Sequence, residues 1–405
     1  SSAASDVYKR QALYVTGGIA VYKSLYLLRE IIKQGGEVRV AMTQAACQFV
    51  NPLSFQVLSQ KKVQIDTFEE GQPESVSHID LTDWADYSIV APATANIIGK
   101  LANGIGDDFV STALLATDHP IFLVPAMNTK MYENPALKHN KAFLIEQGHY
   151  WMEPDIGFLA EGYEGLGRFP DLDRIMAEFN HFIIARNPGI LSGKKVLVTA
   201  GGTVERIDPV RYISNDSSGK MGHQLAQAAY EAGAQVSLVT ASDLPTSPFI
   251  DRFQVESTLD LYQTVSDLYD HHDILMMAAA VSDYRPVNRS DKKMKKQDDL
   301  TIELEKNPDI LAEMGRRKDQ QINVGFAAET HNLEEYAKKK LASKQADLIV
   351  ANEVGRGDRG FNADENAALV FSSDQDPLEL PLQSKKDMAQ KIIEVVASKL
   401  PASPK

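Results

Sequence analysis

The sequence has few of the features that mark secreted or membrane-bound proteins. It contains one cysteine, Cys47, so no disulfide can form within the chain. No apolar run approaches the roughly 20 residues of a membrane span, and no signal-peptide pattern opens the sequence. These absences predict a protein of the reducing cytoplasm that has no membrane partner.

The chain also lacks an excess of basic residues and a dinucleotide-binding fingerprint. Its formal net charge is -13, whereas proteins that bind nucleic acid usually present a basic face. The pattern G-x-G-x-x-G is missing at both of its glycine turns, which weakens the hypothesis of a nicotinamide-dependent oxidoreductase. A phosphate ligand would have to be bound by local basic groups and backbone amides.

What the sequence does contain is two openings of an α/β sheet. The first reads ALYVTGGIA over residues 12–20, and the second reads KKVLVTAGG over residues 194–202. In both, an apolar, β-branched strand ends in paired glycines, as at the ligand crevice of an open parallel sheet. With 405 residues available, the pattern predicts two Rossmann-like, three-layer α/β domains.

Composition suggests where these domains begin and end. Residues 1–11, SSAASDVYKRQ, are polar and lack a hydrophobic period, so we expect a non-native or disordered tail. Residues 186–193, RNPGILSG, contain a proline and two glycines and predict a linker. The first domain should then cover residues 12–185 and the second residues 194–405.

Two loops of the first domain carry distinctive sequences. Residues 92–96 read PATAN and residues 125–132 read PAMNTKMY, each directly after a predicted strand. Both loops should therefore meet the glycine turn at one edge of the sheet. They resemble the two signature motifs of the flavin-containing cysteine decarboxylases, with Thr94 in place of the usual serine. The resemblance implies a flavodoxin-like flavoprotein domain that binds flavin mononucleotide (FMN).

This resemblance also implies roles for individual residues. His78 would take part in catalysis, and Asn128 would hold the substrate carboxylate. The residues expected to line FMN are Gly18, Ile19, Thr43, Thr94 and Asn96. Judged from residue type alone, His78 is equally a packed structural histidine, and the threonines and Asn96 are equally caps of helices or turns.

The glycine-rich segment 155–170, DIGFLAEGYEGLGRFP, predicts a mobile loop that closes over the site. In the family this lid carries Ala-Cys-Gly, whose cysteine donates a proton, whereas here Glu161 occupies the cysteine position. Two interpretations stay open, because an ordinary glutamate with a pKa of about 4.3 is ionised at neutral pH. Either a dry lid keeps the carboxyl protonated, or Glu161 is solvated and another group supplies the proton. Arg168 either binds the substrate phosphate or faces water.

The second domain contains the loop DPVRYISNDSSGKMG at residues 208–222. This loop resembles the signature of phosphopantothenate–cysteine ligases. Together, the two halves resemble the bifunctional proteins of coenzyme A biosynthesis, in which a phosphopantothenoylcysteine decarboxylase precedes the ligase. The resemblance implies 4'-phosphopantothenate, L-cysteine and cytidine triphosphate (CTP) as substrates, with Mg2+ as a cofactor.

The ligase resemblance implies a second set of site residues. Arg211 and Asn215 would bind the acyl intermediate, and Asn215 and Lys293 would be catalytic. Lys293 lies in the run SDKKMKKQ, which from composition alone is a solvated loop. The residues expected to contact CTP are Met277, Ala278, Ala279, Asp283, Lys293, Asn307, Pro308, Asp309, Ile310, Phe326, Lys340 and Lys344.

The family implies ligation through an acyl cytidylate and then flavin-dependent decarboxylation to 4'-phosphopantetheine. It also implies a homo-oligomer, with trimers of flavin domains, dimers of ligase domains and flavin sites at subunit contacts. One alternative is an active ligase whose flavin domain stops at the oxidised ene-thiol. Another is a regulatory flavoprotein, which would require a silent ligase half.

Overall fold

The structure, a computed structural model, describes residues 10–67, 77–295, 301–329, 333–353 and 364–401. The chain divides into two compact units, Ser1–Ile183 and Ile184–Lys405. Each unit has its own sheet and its own buried core. No helix in the described part of the chain combines the length and apolar character needed to cross a bilayer.

The first unit is built on a five-stranded parallel sheet with strand order β2-β1-β3-β4-β5. Its elements are β1 (Arg10–Val15), α1 (Val21–Lys33), β2 (Glu37–Met42), α2 (Gln44–Cys47), α3 (Pro52–Ser59), α4 (Ser77–Trp84), β3 (Tyr87–Ala93), α5 (Ala95–Ala102), α6 (Phe109–Leu115), β4 (Ile121–Pro125), α7 (Thr129–Tyr132), α8 (Pro135–Glu146), β5 (Tyr150–Trp151), β6 (Asp155–Phe158), β7 (Glu164–Arg168) and α9 (Leu172–Ile184). The chain leaves β1 toward β2 and later returns to β3 on its other side. The reversal of strand order at β1 creates a ligand crevice there.

The strands are apolar on both sides because helices cover both faces of the sheet. Helix α1 illustrates the packing, since its buried Val21, Leu28 and Ile31 follow the helical period. Its bounds are those that the sequence predicts. The first unit is thus the three-layer flavodoxin-like domain expected from the sequence.

Two predictions for this unit were wrong in detail. Strand β1 begins at Arg10, not Ala12, because the Arg10 guanidinium pairs with Asp86 at 2.9 Å and Gln11 is buried. The predicted tail is therefore too long by two residues, and residues 1–9 lie outside the described chain. The predicted loop 155–170 contains the antiparallel hairpin of β6 and β7, which we call the lid hairpin.

The second unit contains an eight-stranded sheet with the order β12-β11-β8-β13-β16-β17-β18-β19. Its elements are β8 (Lys195–Ala200), β9 (Val204–Arg206), β10 (Tyr212–Ser214), α10 (Lys220–Glu231), β11 (Gln235–Thr240), β12 (Asp251–Gln254), α11 (Thr258–Tyr269), β13 (Ile274–Met277), β14 (Tyr284–Pro286), β15 (Leu304–Lys306), α12 (Ile310–Arg317), β16 (Ile322–Glu329), α13 (Leu333–Lys344), β17 (Leu348–Glu353), β18 (Glu365–Ser372), β19 (Leu378–Ser384) and α14 (Lys385–Ser398). The first six strands in this order are parallel, and β18 and β19 each reverse direction.

The two reversals determine where α14 begins. Since β18 runs against β17 and β19 runs against β18, strand β19 points in the direction of the parallel strands. Helix α14 follows β19 directly and packs beside α10, with Leu225, Ile392 and Val396 in one core. Both helices therefore start at the edge where the parallel strands end.

The apolar run of residues 273–280 predicts a strand, but β13 ends at Met277. The amide of Ala278 donates to the Met276 carbonyl at 3.2 Å, which turns the chain out of the sheet. The amide of Ala280 then donates to the Gly201 carbonyl at 2.9 Å. As a result, the residues after β13 face the crevice.

Candidate functional sites

A cavity of about 1010 Å³ lies at the carboxyl ends of β1, β3 and β4 in the first unit. The glycine turn, the two motif loops and the lid hairpin line it. Predicted residues that the structure brings together here are Gly18, Ile19, Thr43, Thr94, Asn96, Asn128, Glu161 and Arg168. His78 does not line this cavity. It lies on α4, half-buried, with its ring edge-on to Phe109 at 6.5 Å between centroids.

Hydrogen bonds between threonines fix the turn after β1. The Thr16 hydroxyl donates to the Pro92 carbonyl at 2.6 Å and lies 3.0 Å from the Thr94 hydroxyl. At Gly17, a Cβ atom would lie 2.4 Å from the Cβ of Ala45, so the close packing requires glycine. Gly17 and Gly18 line the cavity and carry no side chains that would keep a ligand from their backbone amides.

Thr43 has the local role that its residue type predicts. Its hydroxyl accepts a hydrogen bond from the Ala46 amide at 3.2 Å and caps α2. The side chain still lines the cavity, so capping and ligand contact are compatible at this position.

The loop after β4 is bound tightly to the lid hairpin. The Asn128 amide nitrogen Nδ2 donates to the Tyr163 hydroxyl at 2.7 Å, and the Thr129 hydroxyl donates to the Leu166 carbonyl at 2.7 Å. A Cβ atom at Gly167, where φ is +132°, would lie 2.1 Å from the Met127 carbonyl oxygen. Glycine at this position therefore lets the hairpin approach the backbone beside Asn128.

Basic side chains surround the mouth of this cavity. Arg168 lines it and pairs with Asp171 at 2.8 Å. Lys23 donates to the Phe169 carbonyl at 3.3 Å, and its pKa is lowered by burial and then by the neighbouring Arg168. This positive rim suits an anionic substrate.

A smaller cavity of about 540 Å³ lies at the carboxyl ends of β8, β13 and β16 in the second unit. Predicted residues that line it are Asn215, Met277, Ala278, Ala279, Asp283, Asn307, Pro308, Asp309, Ile310, Phe326, Lys340 and Lys344. Lys293 and Arg211 are the predicted residues that it does not include. Predicted residues that lie more than a hundred positions apart in the sequence thus meet at one edge of the sheet.

Hydrogen bonds hold the polar groups of this cavity in place. The buried Asn307 donates to the Ser282 carbonyl at 2.9 Å, and Lys340 donates to the Phe326 carbonyl at 2.7 Å. Asp309 caps α12 through the Ala312 amide and pairs with Lys344. Burial tends to raise the pKa of Asp309, but Lys344 and that amide outweigh burial and hold it below its ordinary value.

Asn215 lies at the opposite wall, and its side chain donates to the Val281 carbonyl at 3.0 Å. Arg211 instead pairs with the buried Asp208 at 3.3 Å. Asp208 also accepts from the Met294 amide at 3.1 Å, next to Lys293. Arg211 and the Lys293 loop therefore form a separate cluster around one buried carboxylate.

Comparison with known proteins matches both units. The family model of the DNA/pantothenate metabolism flavoprotein C-terminal domain matches residues 191–400, and the model named Flavoprotein matches residues 1–184. The coenzyme A biosynthesis bifunctional protein CoaBC of Bacillus subtilis (strain 168) is 47% identical over 389 residues, 95% of this chain and 96% of that protein. This chain belongs to the family of coenzyme A biosynthesis bifunctional proteins. It is therefore a bifunctional enzyme, a phosphopantothenate–cysteine ligase and a phosphopantothenoylcysteine decarboxylase, with a flavoprotein domain first.

Another member of this family and two solved structures are also similar to this chain. The bifunctional protein of Escherichia coli (strain K12) is 42% identical over 398 residues and covers 96% of this chain and 97% of its own. A crystal structure of a CoaBC C-terminal domain is 40% identical with a TM-score of 0.45, covering 52% of this chain and 97% of that one. The structure of a PPC decarboxylase mutant complexed with pantothenoylaminoethenethiol is 31% identical with a TM-score of 0.39. The match covers 43% of this chain and 97% of that one.

Sequence reasoning missed two lysines that line the ligase cavity, Lys306 and Lys385. Lys385 begins α14 and is only 5% exposed. Burial lowers its pKa, as does the neighbouring Lys220, while Asp364 acts in the opposite direction. No local pattern distinguishes Lys385 from an ordinary first-turn lysine, because the strand reversals bring it to this edge.

Asn352, at the end of β17, also lines the ligase cavity. Its carboxamide oxygen is buried and has no hydrogen-bond partner among the residues that the structure describes, although a buried acceptor usually has one. Among the described residues, no group of three or more His, Cys, Asp and Glu side chains is arranged to bind a metal ion.

Proposed function

We propose that the ligase unit activates 4'-phosphopantothenate with CTP. A carboxylate does not condense with an amine unless it first acquires a leaving group. Attack of the pantothenate carboxylate on the α-phosphate would give an acyl cytidylate and pyrophosphate, and the amine of L-cysteine would then displace cytidine monophosphate. The observation that carries this proposal is the convergence of Asn215 with the expected nucleotide residues in one cavity.

Charge in that cavity supports a triphosphate ligand. Lys340 and Lys344 lie one helical turn apart on α13, and both line the cavity. They would offset the negative charge that develops during transfer at the α-phosphate. Phe326 offers an aromatic contact for the base, and Asn215 offers a carboxamide for the acyl group. Mg2+ would be bound together with the phosphates, with Asp283 as a carboxylate in reach.

Arg211 and Lys293 lie outside the cavity of their own unit. We propose that they contribute through a dimer of ligase units, each completing the site of the other. Lys293 would then approach the nucleotide, and Arg211 the acyl intermediate. An equilibrium sedimentation experiment would contradict this proposal if the active ligase were monomeric.

For the first unit we propose FMN as the bound flavin. The side-chain-free turn at the start of α1 suits a phosphate group, and the cavity volume is at the upper end of the roughly 300–1,000 Å³ that is usual for ligand sites. Bound flavin would accept an electron pair from the cysteine moiety and return it after carbon dioxide has left. Asn128 would hold the substrate carboxylate, and Thr94 and Asn96 would contact the flavin. Decarboxylation of the oxidised thioaldehyde then leaves an ene-thiol, which is reduced to 4'-phosphopantetheine.

A trimer of flavin domains would explain two further observations. His78 lies outside the cavity of its own chain and would reach a flavin from a second copy. Large apolar side chains on α1 are also exposed, with Tyr22 at 49% and Tyr26 at 62%. Burial of such side chains between subunits would be favourable.

Mass spectrometry of a single mixture tests both halves. Purified protein is supplied with 4'-phosphopantothenate, L-cysteine, CTP and Mg2+. We expect 4'-phosphopantetheine and pyrophosphate. Accumulation of phosphopantothenoylcysteine, or of a product lighter by two hydrogens, would show an active ligase with an arrested first unit. Absence of ligation would contradict the CTP-dependent mechanism.

A further inference from the structure

A decarboxylase that forms 4'-phosphopantetheine must supply a proton to the carbon that loses carbon dioxide. The bond between that carbon and the carboxylate breaks, its electron pair stays on the substrate, and a carbon–hydrogen bond finally takes its place. The donor must lie close to the group that holds the departing carboxylate. It must also carry a proton at neutral pH.

Tyr163 satisfies the requirement of position. Its hydroxyl lies 2.7 Å from the Asn128 amide nitrogen that is proposed to hold the carboxylate. Because the hydroxyl oxygen accepts this hydrogen bond, its own hydrogen points elsewhere and is available to a ligand. Asn128 and the lid hairpin thus meet at a phenol group.

Tyr163 directly precedes β7, the strand of the lid hairpin that is bonded to the Asn128 loop. The Met127 amide donates to the Gly167 carbonyl at 3.0 Å, and the Thr129 hydroxyl donates to the Leu166 carbonyl at 2.7 Å. These bonds flank Asn128 on both sides and join its loop to β7. The phenol and the carboxamide are therefore held as one unit.

Glu161 is the other acid of the hairpin. It lines the cavity, but it is exposed at the turn between β6 and β7. A carboxylic acid ordinarily loses its proton well below neutral pH, whereas a phenol ordinarily keeps it. Tyr163 is outside the set of residues that line the cavity, but its contact with Asn128 and the chemistry of a phenol favour it over Glu161.

We propose that Tyr163 is the catalytic proton donor of the decarboxylase. This inference rests on the proposed flavin-dependent function. The proton passes from Tyr163 Oη to the carbon that bore the carboxylate, and the adjacent carbon would regain from bound flavin the hydride that it lost in the oxidation. The step thereby converts the ene-thiol into the thiol, with no net redox change over the cycle. Tyr163 is 40% exposed, so the phenolate regains its proton from solvent.

The test compares Tyr163→Phe with Glu161→Gln in the flavin-loaded, full-length protein. Each is mixed with one equivalent of 4'-phosphopantothenoylcysteine. Carbon dioxide release, the flavin absorbance spectrum and the product mass are recorded separately. Flavin content and ligase activity show whether each variant is folded.

We expect Tyr163→Phe to release carbon dioxide at the normal rate but to slow 4'-phosphopantetheine formation at least about a hundredfold. The flavin should stay reduced, and a product lighter by two hydrogens should accumulate. Glu161→Gln should form 4'-phosphopantetheine at least about tenfold faster than Tyr163→Phe and should not accumulate the product lighter by two hydrogens.

Three results would overturn the proposal. Glu161→Gln could show the arrested pattern, which would make Glu161 the donor. Tyr163→Phe could turn over normally. Tyr163→Phe could instead slow carbon dioxide release as much as product formation. That result would show that Tyr163 only positions Asn128. If the unaltered protein released no carbon dioxide, the proposed function itself would fail, and that outcome is distinguishable from the other three.

Discussion

Lys385 is a nearly buried ammonium group in the wall of the ligase cavity. Burial of a positive charge is costly unless anionic or polar groups compensate it. The phosphates of a nucleotide would add to the attraction of Asp364 and would strengthen the charged form. Lys385 therefore belongs with Lys340 and Lys344 in the proposed nucleotide site, although it lies on a different helix.

Replacement of Lys385 by methionine should raise the KM for CTP at least about tenfold, because a hydrogen bond between charged groups is lost. The maximal rate should change much less. Steady-state kinetics at varied CTP concentration measures both quantities.

Lys386→Met is the matched control, since Lys386 is the exposed next residue of the same helix. Its KM should stay within about twofold of the unaltered value, as is usual for surface substitutions. An equal effect of both substitutions would show that only the overall charge matters.

At the scale of elements, the lid hairpin depends on two glycines with different requirements. Gly167 and Gly162 both have positive φ values, of +132° and +87°. A side chain at Gly167 would collide with the Met127 carbonyl, whereas a Cβ atom at Gly162 would meet no atom within 4 Å. The hairpin thus tolerates a side chain at its turn but not where it contacts the Asn128 loop.

Gly167→Ala should therefore lower decarboxylation about a hundredfold, since the collision displaces groups at the site by roughly 1 Å. Ligation should be unchanged. Gly162→Ala should cost only about 1 kcal/mol of local stability through its backbone conformation. Separate assays of the two reactions check the prediction, and equal losses from both variants would contradict it.

The elements also show what could be predicted from sequence. The apolar period of residues 21–33 and the glycines that follow predict α1 with the bounds observed, because both are local signals. The lid hairpin was predicted as a loop, because its alternating glycines hide the period of two on which strand prediction depends. In the ligase site, the motif residues were predicted to converge. The position of Lys385 was not predicted, because it depends on the reversals of β18 and β19, which no local sequence pattern indicates.

At the scale of the whole molecule, the second unit contains two histidines that are held neutral. His272 bonds to the Leu268 carbonyl at 2.7 Å and to the Ser237 hydroxyl at 3.0 Å, and burial lowers its pKa. Burial and the nearby Arg252 also lower the pKa of His223. Both groups bind protons more readily in the unfolded chain, so acid should destabilise this unit.

The free energy of unfolding of the second unit should therefore fall as the pH drops from about 7 to about 5. The stabilisation is present above the ordinary histidine pKa and is lost as the pH falls through the lowered values. Urea titrations followed by hydrogen exchange of α10 and α11 measure this for the second unit separately.

His272→Gln should reduce that pH dependence, whereas His271→Gln, at the exposed neighbouring position, should preserve most of it. A pH dependence that is unchanged in His272→Gln would contradict the assignment.

The placement of α14 has a consequence for how the enzyme is made. This helix follows both sheets along the chain, yet it completes the wall of the ligase cavity. On the ribosome, a nascent chain therefore finishes the cavity of its first unit well before the cavity of its second unit. An interrupted chain would retain a decarboxylase unit without the ligase that supplies its substrate.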